Sequence, residues 1–224
     1  FLEAGLNKRF LSRFTMALAV LIVLPVFSPR LLAFPHSATI GADRVWSTSP
    51  IDRTEIERIL ADANQRLISS PLTQGAEARD IYLTDGGWRW LWLANTSSGA
   101  FALTRPANDA IVVNHADISA NRVSNGNTMG GNRSIASIIA HEKCHGMLRR
   151  HFGFTVDFTK PQWVREGYCD YVAGESSLSE QEAAQLQATG TNHPALPYFL
   201  GRKRVAASLA ANGGNVDRLF DEAR

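Results

Sequence analysis

The chain is short of cysteine, of net charge and of internal repetition, and these absences narrow what it can be. Only two cysteines occur among its 224 residues, so at most one disulfide can form within the chain. A formal net charge of +2 gives no reason to expect nucleic acid as a partner. The glycine-containing stretch 126–131 lacks a following lysine in the place that a phosphate-binding loop requires.

One segment carries most of the chemical information, because His141-Glu142-Lys143-Cys144-His145 places two imidazoles and a carboxylate close together. On a helix, residues four apart lie about 40° apart in azimuth and about 6 Å apart along the axis. His141 and His145 can therefore bind one tetrahedral zinc ion, which is the expected cofactor. Glu142 lies about 100° round the helix from His141, off the line of the two histidines. There it can take a proton from water as a general base.

The sequence around this motif predicts a helix. Apolar residues recur at helical spacing on both sides of it: Ile135, Ile138, Ile139 and Leu148. Asn132 or Ser134 is a suitable N-cap, and Gly153 is a suitable C-terminal stop. The alternative is an ordinary amphipathic helix whose two histidines are satisfied by hydrogen bonds.

A catalytic zinc site has three protein ligands and a water, so a third ligand is expected downstream. His151 follows His145, but on a continued helix it lies about 240° round and about 9 Å along, out of reach of the same ion. Glu166 is the stronger candidate, because it shares one helical face with Asp170 among largely apolar neighbours. A zinc ion and a histidine N–H would satisfy these carboxylates.

The segment WVREGYCDY at residues 163–171 resembles the W-x-x-E-G-x-[small]-[D/E]-Y signature of gluzincins, the thermolysin-like and aminopeptidase-N-like zinc peptidases. The resemblance covers residues 130–175 well. It implies a full set of site residues: zinc ligands His141, His145 and Glu166, catalytic base Glu142, and Asp170 as the carboxylate that orients a ligand histidine.

Other features of gluzincins also map onto the chain. Members stabilise the oxyanion with a tyrosine or histidine, and the candidates here are Tyr198, His193 and Tyr168. Arg165 stands where relatives often have a small polar residue, at the mouth of the site. The G-x-M-x-N segment with which aminopeptidase-N-like enzymes hold a substrate amino terminus is missing from the sequence. An endopeptidase is therefore expected rather than an aminopeptidase.

The resemblance further implies an edge strand above the zinc helix that pairs with extended substrate. The apolar run 110–114, last before that helix, is expected to be this strand, with Val112 and Asn114 contacting substrate. The alternative is an interior strand, since a continuous apolar run is also typical of a strand covered on both faces. The aromatic segment 88–92 is expected as a core strand or as a hydrophobic subsite.

Both cysteines adjoin proposed site residues. Cys144 and Cys169 each follow a proposed ligand by three residues, and in an exported chain they could form a disulfide. Two buried thiols are the alternative, since the bridge needs a close approach of the Cβ atoms. A cysteine nucleophile is not expected, because it would be poorly presented inside a zinc-ligand helix.

Residues 1–34 predict a signal anchor or a signal peptide. The uncharged apolar run 14–27 has the length of a signal peptide, and extension past Arg30 gives a spanning length. A buried core helix is the alternative, and residues 35–50 are expected to form a linker. The rest of the chain would be membrane-anchored and face the periplasm or exterior, or be secreted. Three basic residues precede the apolar run: Lys8, Arg9 and Arg13.

Residues 51–224 are expected to form one α+β domain. An amphipathic helix is predicted at 52–69, opened by Asp52 or Thr54. Strands are predicted at 80–84, 88–94, 99–104 and 110–114, divided by turns at 85–87, 95–98 and 105–108. The expected fold is a small, mostly antiparallel sheet packed on the zinc-binding helix, with further C-terminal helices and a preceding N-terminal hydrophobic helix.

Together these features predict a zinc metallopeptidase of gluzincin type that hydrolyses peptide or protein substrates with activated water and a glutamate base. Two alternatives stay open. One is a non-catalytic, zinc-stabilised binding module at the membrane, and the other is a hydrolase of another amide in cell-envelope material. Glu142 favours a catalyst over the module, because a structural zinc clamp does not need that carboxylate.

Overall fold

The computed structural model of the chain describes residues 2–75, 77–105 and 108–224, with the backbone alone for 2–11, 18, 21 and 22. It begins with helix α1 (Leu2–Phe27), followed by a 3₁₀ turn at Pro29–Leu32. Within the described chain, no helix is both long and apolar enough to cross a membrane. The hydrophobic membrane helix expected at the N terminus is therefore not supported, although a helix does lie there.

A seven-stranded sheet follows, in the order β1-β2-β3-β5-β6-β7 with β4 paired to β5. The pairs β2–β3 and β3–β5 are parallel, and the other pairs are antiparallel. The strands are β1 (His36–Ile40), β2 (Asp43–Ser47), β3 (Asp80–Thr84), β4 (Ala102–Thr104), β5 (Ile111–Asp117), β6 (Arg122–Ser124) and β7 (Asn132–Ser134).

Eight helices after α1 are α2 (Arg53–Ile68), α3 (Trp88–Ala94), α4 (Ile135–Phe152), α5 (Val156–Thr159), α6 (Gln162–Ala173), α7 (Glu180–Thr189), α8 (Leu196–Ala211) and α9 (Val216–Glu222) among the described residues. The predicted α+β class is confirmed. The sheet is larger than expected, because residues 36–47 contribute β1 and β2. Most of its strand pairs are antiparallel, as expected, and α2 joins β2 to β3 as a crossover, which permits a parallel pair.

The segment predicted as a linker, 35–50, instead forms the hairpin β1–β2 at the end of the sheet. In β2, buried residues alternate with less buried ones, which is the burial pattern of a strand with one covered face. Gly41 has φ of 57° in the connection between the two strands, a conformation that glycine adopts without strain. Two of the three buried residues of β2, Asp43 and Ser47, are polar, so the sequence shows no hydrophobic alternation that would have indicated this strand.

The aromatic segment predicted as a strand at 88–94 is helix α3. Trp90, Leu93 and Ala94 are buried, and the residues between them face outwards, so burial recurs at a spacing of three to four rather than two. The indole N–H of Trp90 donates to the carbonyl of Ser98 at 2.9 Å. Local preference of tryptophan for strands was overridden by packing against the sheet. The strand predicted at this position is therefore wrong, although Trp90 does lie in the core.

The run 110–114 is an interior strand and not the expected sheet edge. Within β5, Val112 is paired with Tyr82 of β3 on one side and with Leu103 of β4 on the other. In the described chain β4 pairs with β5 alone, so β4 is the edge strand at this place. Pro106 and Ala107, which belong to the turn predicted between these strands, lie outside the described residues.

Helix α4 lies at the centre of the core, and nearly all of its residues from Ile135 to Leu148 are buried. The Ser134 hydroxyl caps its start by accepting from the Ser137 N–H at 3.1 Å. Gly153, with φ of 84°, follows its last residue. The helix predicted around the zinc motif is thus confirmed, with the start and stop that the sequence indicated.

Helices α6 and α8 approach each other so closely that only glycine fits at the contact. A Cβ atom on Gly167 would lie 2.5 Å from the carbonyl carbon of Gly201. A Cβ atom on Gly201 would lie 2.9 Å from the carbonyl oxygen of Trp163. The two helices therefore pack backbone against backbone beside Glu166.

Candidate metal centre

The two histidines of α4 turn the same edge of their rings towards one point. The Nε2 atoms of His141 and His145 are 3.2 Å apart. The rings stand almost perpendicular, with an interplanar angle of 77°. Because α4 is rigid and buried on both sides of the motif, the separation of four residues fixes this approach.

Helix α6 brings Glu166 to the same point. Its Oε2 atom lies 3.3 Å from His141 Nε2 and 3.4 Å from His145 Nε2. The three atoms thus form a nearly equilateral triangle. Zinc bonds of about 2.1 Å at tetrahedral angles place ligand atoms about 3.4 Å from one another. The residues therefore fit a zinc ion held by these three atoms.

The electrostatics of the site also suit a cation. Burial alone would lower the pKa of His141, but the carboxylates of Asp170 and Glu166 outweigh it and raise that pKa to about 10. Burial would raise the pKa of Glu166, yet His145 and His141 hold it well below its usual range. The donor atoms are thus set in an environment that favours positive charge between them.

Asp170 orients the first histidine. Its Oδ1 atom lies 2.8 Å from Nδ1 of His141, so a proton on Nδ1 leaves the Nε2 lone pair free to face a metal. Arg133, a residue of β7, donates to the same oxygen at a distance of 2.7 Å. Burial would raise the pKa of Asp170, but Arg133 and then His141 keep it lowered.

Arg133 is a site residue that sequence reasoning missed. It is buried, and its second terminal nitrogen donates to the carbonyl of Glu175 at 3.1 Å. Asp170 on a buried helical face signals that a cation must lie near it. Nothing in the sequence pattern, however, indicates which of the basic residues meets it.

Glu142 sits beside the triangle without joining it. Its Oε2 atom accepts a hydrogen bond from the Thr104 hydroxyl at 2.6 Å. Thr104 is the last residue of the edge strand β4, and sequence reasoning did not find it either. The carboxylate that the motif assigns as a base is therefore held by a hydroxyl from the strand beside the site.

These groups line a cleft of about 760 Å³. Residues 99–104, which include the whole of β4, form one wall, and α4 and α6 contribute the ligands. Arg165 also lines the cleft, and its Nη1 atom lies 3.7 Å from Glu166 Oε1, the carboxylate oxygen that is not turned towards the histidines. The cleft is thus bounded by a strand edge and contains the full set of proposed reactive groups.

Of the three oxyanion candidates, the structure places only Tyr198 in the described lining of the cleft. Gln162 donates to its hydroxyl at 3.1 Å, and burial followed by the charge of Glu166 raises its pKa. His193 lies outside that lining, and its Nδ1 accepts from the N–H of Ala195. Tyr168 is buried, with its hydroxyl 2.7 Å from Ser70 Oγ.

The residues proposed for substrate contact on 110–114 are misplaced. Val112 is buried in the sheet, and the Asn114 amide donates to the carbonyl of Ala100 at 2.9 Å. Neither belongs to the described lining of the cleft. The physical reason is that β4 covers the edge of β5, so residues 100–104 take the place that these two were expected to hold.

The disulfide considered for Cys144 and Cys169 is absent from the structure, where both are free, buried thiols. Burial raises the pKa of Cys169, which lies 3.8 Å from Nδ1 of His145. His151 points away from the site, with Nε2 2.5 Å from Asp217 of α9. The rejection of His151 as a ligand agrees with this placement.

Comparison with models of known families, with curated proteins and with solved structures found no match.

Proposed function

We propose that this protein is a zinc-dependent peptidase of gluzincin type that cleaves within peptide or protein chains. The observation that supports it best is the triangle of His141, His145 and Glu166 donor atoms, with spacings of 3.2 to 3.4 Å. A carboxylate that stays outside the triangle, Glu142, lies next to it at the cleft. Zinc, when bound, would polarise the scissile carbonyl and acidify a water molecule.

Residues of the chain supply the other steps of the reaction. Glu142 takes the proton of the attacking water and delivers it to the leaving amine. Thr104 holds the carboxylate of Glu142 in place through its 2.6 Å hydrogen bond. Tyr198, as the cleft-lining phenol, donates to the oxyanion of the tetrahedral intermediate. Asp170 keeps the His141 ring in the orientation that presents Nε2.

The edge of β4 supports cleavage within a chain. An extended substrate can pair its main chain with that edge, and such pairing tolerates many side chains. The cleft of about 760 Å³ is within the size range of sites that enclose a bound ligand. An endopeptidase uses a site of this kind.

Replacement of Glu142 by Gln tests this function. We expect the variant to keep one equivalent of zinc and to lose about 10²- to 10⁴-fold in hydrolysis of mixed peptides, because the general base is gone. Glu166→Gln is the matched control, and it should lose the metal as well. Zinc content by atomic emission and cleavage by mass spectrometry are the two measurements.

Unchanged peptide hydrolysis by Glu142→Gln would reject the proposed mechanism. Zinc binding by the wild-type chain without any peptide cleavage would instead support a zinc-stabilised binding module. Release of amine from cell-envelope material in the absence of peptide cleavage would identify a hydrolase of another amide.

A further inference from the structure

Helix α3 exposes large apolar side chains on one face. Trp88, Leu91 and Trp92 are 40% to 58% exposed, and their spacing of three and four residues places them on one side of the helix. The opposite side is buried in the core through Trp90 and Leu93. Clustered exposed apolar surface of this kind marks an interaction site.

Exposed apolar side chains also occur at the end of α1 and in the 3₁₀ turn that follows it. Leu24, Phe27 and Leu31 are also exposed. Two arginines hold the neighbouring backbone against the rest of the molecule: Arg105 donates to the carbonyl of Val26, and Arg89 donates to those of Leu32 and Ala33. Arg89 belongs to α3, so these bonds join α3 to the turn after α1, and α1 and α3 are themselves in contact. We call these six apolar residues, 24, 27, 31, 88, 91 and 92, the apolar face.

The N-terminal part of the chain, which contributes three of these six residues, carries charge of one sign. Residues 4–42 contain four basic residues and no aspartate or glutamate. Of these, Arg13 and Arg30 are exposed. Arg89 lies over the Trp88 ring, with its guanidinium carbon 4.7 Å from the ring centroid. Tryptophan and arginine together suit the boundary between lipid chains and headgroups.

We propose that the apolar face docks on a lipid bilayer with anionic headgroups, with Trp88, Leu91 and Trp92 entering the interfacial layer. Apolar burial supplies the attraction, and the basic residues add attraction to anionic lipid. Helix α3 leads directly into the 3₁₀ turn Asn95–Ser97, of which Thr96 and Ser97 line the cleft. The docked chain therefore holds the cleft beside the membrane surface.

A label at position 91 tests the docking directly. Both native cysteines are buried, so a thiol-reactive fluorophore on Leu91→Cys reports from that position. We expect vesicles of phosphatidylcholine with phosphatidylglycerol to reduce its quenching by aqueous acrylamide at least threefold, with a smaller effect from phosphatidylcholine alone. The matched control is Phe158→Cys, at a 79% exposed position away from the apolar face, where quenching should not change.

Unaltered quenching at position 91 in the presence of anionic vesicles would overturn the proposal, even if α1 alone attached the chain to them. If the label at position 91 became protected from quenching without lipid, and more so at higher protein concentration, the result would overturn the proposal. It would show instead that the apolar face binds a second copy of the chain. These readings do not use hydrolysis, so they stand apart from the success or failure of the proposed peptidase.

A pair of double variants gives an independent measure. Trp88→Ser with Leu91→Ser should lower vesicle partition about tenfold or more, since two apolar side chains no longer leave water. Phe154→Ser with Phe158→Ser, which removes exposed aromatic surface elsewhere, should leave partition unchanged. Equal partition of both variants would contradict a role for α3. Circular dichroism checks that each variant is folded.

Discussion

At the scale of single residues, the hydrogen bond from Thr104 to Glu142 joins the proposed base to the strand that would bind substrate. The Thr104 hydroxyl lies 2.6 Å from the carboxylate of Glu142 and 3.3 Å from its main-chain carbonyl, so it contacts both the side chain and the backbone of this residue. Thr104 is a positioning residue in this arrangement, because it acts through Glu142. Substrate paired with β4 would lie next to the residue that orients the base.

Thr104→Val removes that hydrogen bond while nearly conserving shape. A hydrogen bond to a charged group contributes about 1.5 to 3 kcal/mol, so kcat should fall about 10- to 100-fold with little change in KM. Thr104→Ser should restore most of kcat, since it keeps the hydroxyl, and zinc content should be the same in all three proteins. Steady-state kinetics on one peptide measure this. A serine variant as slow as the valine variant would contradict the positioning role.

The residues of the site differ in how well sequence could predict them. His141, Glu142 and His145 follow from spacing alone, because one helix fixes their relative geometry. Glu166 and Asp170 needed both a shared helical face and the resemblance to a family signature. Arg133 and Thr104 reach the site from strands 37 and 38 residues away in sequence, and no local pattern connects such pairs.

At the scale of helices and strands, the contact between α6 and α8 positions the third proposed ligand. Gly167 directly follows Glu166, and its backbone touches that of Gly201. A side chain at either glycine would force the helices apart and shift Glu166 away from the histidines. The glycine that follows the glutamate in the signature thus has a packing reason in this chain.

Gly167→Ala should destabilise the protein although alanine is the better helix former. Overpacking costs about 1 to 3 kcal/mol, against about 1 kcal/mol gained from helix propensity when packing is neutral. Zinc affinity should also fall at least tenfold. Urea unfolding and zinc titration measure both effects. Ala207→Gly, at an exposed position in the interior of α8, is the control, and it should cost about 1 kcal/mol without affecting zinc. A more stable Gly167→Ala would disprove the close contact.

The elements with strong periodicity and end signals were predicted well. Helix α2 begins at its Asp52 cap, and α4 runs between Ser134 and Gly153 as expected. Helix α3 was mistaken for a strand, because seven residues rich in tryptophan are too few to reveal a helical period. The edge position of β4 depends on strand pairing across the sheet, which a single sequence does not encode locally.

At the scale of the whole molecule, the proposed ligands connect two parts of the core. Helix α4 lies against the sheet, whereas α6 belongs to the C-terminal helices. A metal bound by His141 and His145 on one helix and Glu166 on the other would therefore cross-link the two helices. Metal binding should stabilise the folded chain as a consequence.

Removal of zinc tests this connection. At a free zinc concentration 100 times the Kd, binding adds about 2.7 kcal/mol to the free energy of unfolding. For a chain of this length that corresponds to about 5 to 10 °C in Tm, lost on chelation with EDTA. Differential scanning fluorimetry measures the shift. The Tm of Glu166→Gln should differ little between the zinc and EDTA samples. A wild-type Tm that is the same with zinc and with EDTA would argue against the three-ligand site.

The bare backbone contact of α6 and α8 has a consequence for motion. Tyr198 lies one helical turn before Gly201, and Glu166 lies next to Gly167, so the phenol and the ligand belong to one stiff unit. Their separation stays constant when the cleft changes width. A change in the width of the cleft is then expected in its other lining segments, among them residues 99–104, the side that would admit the peptide.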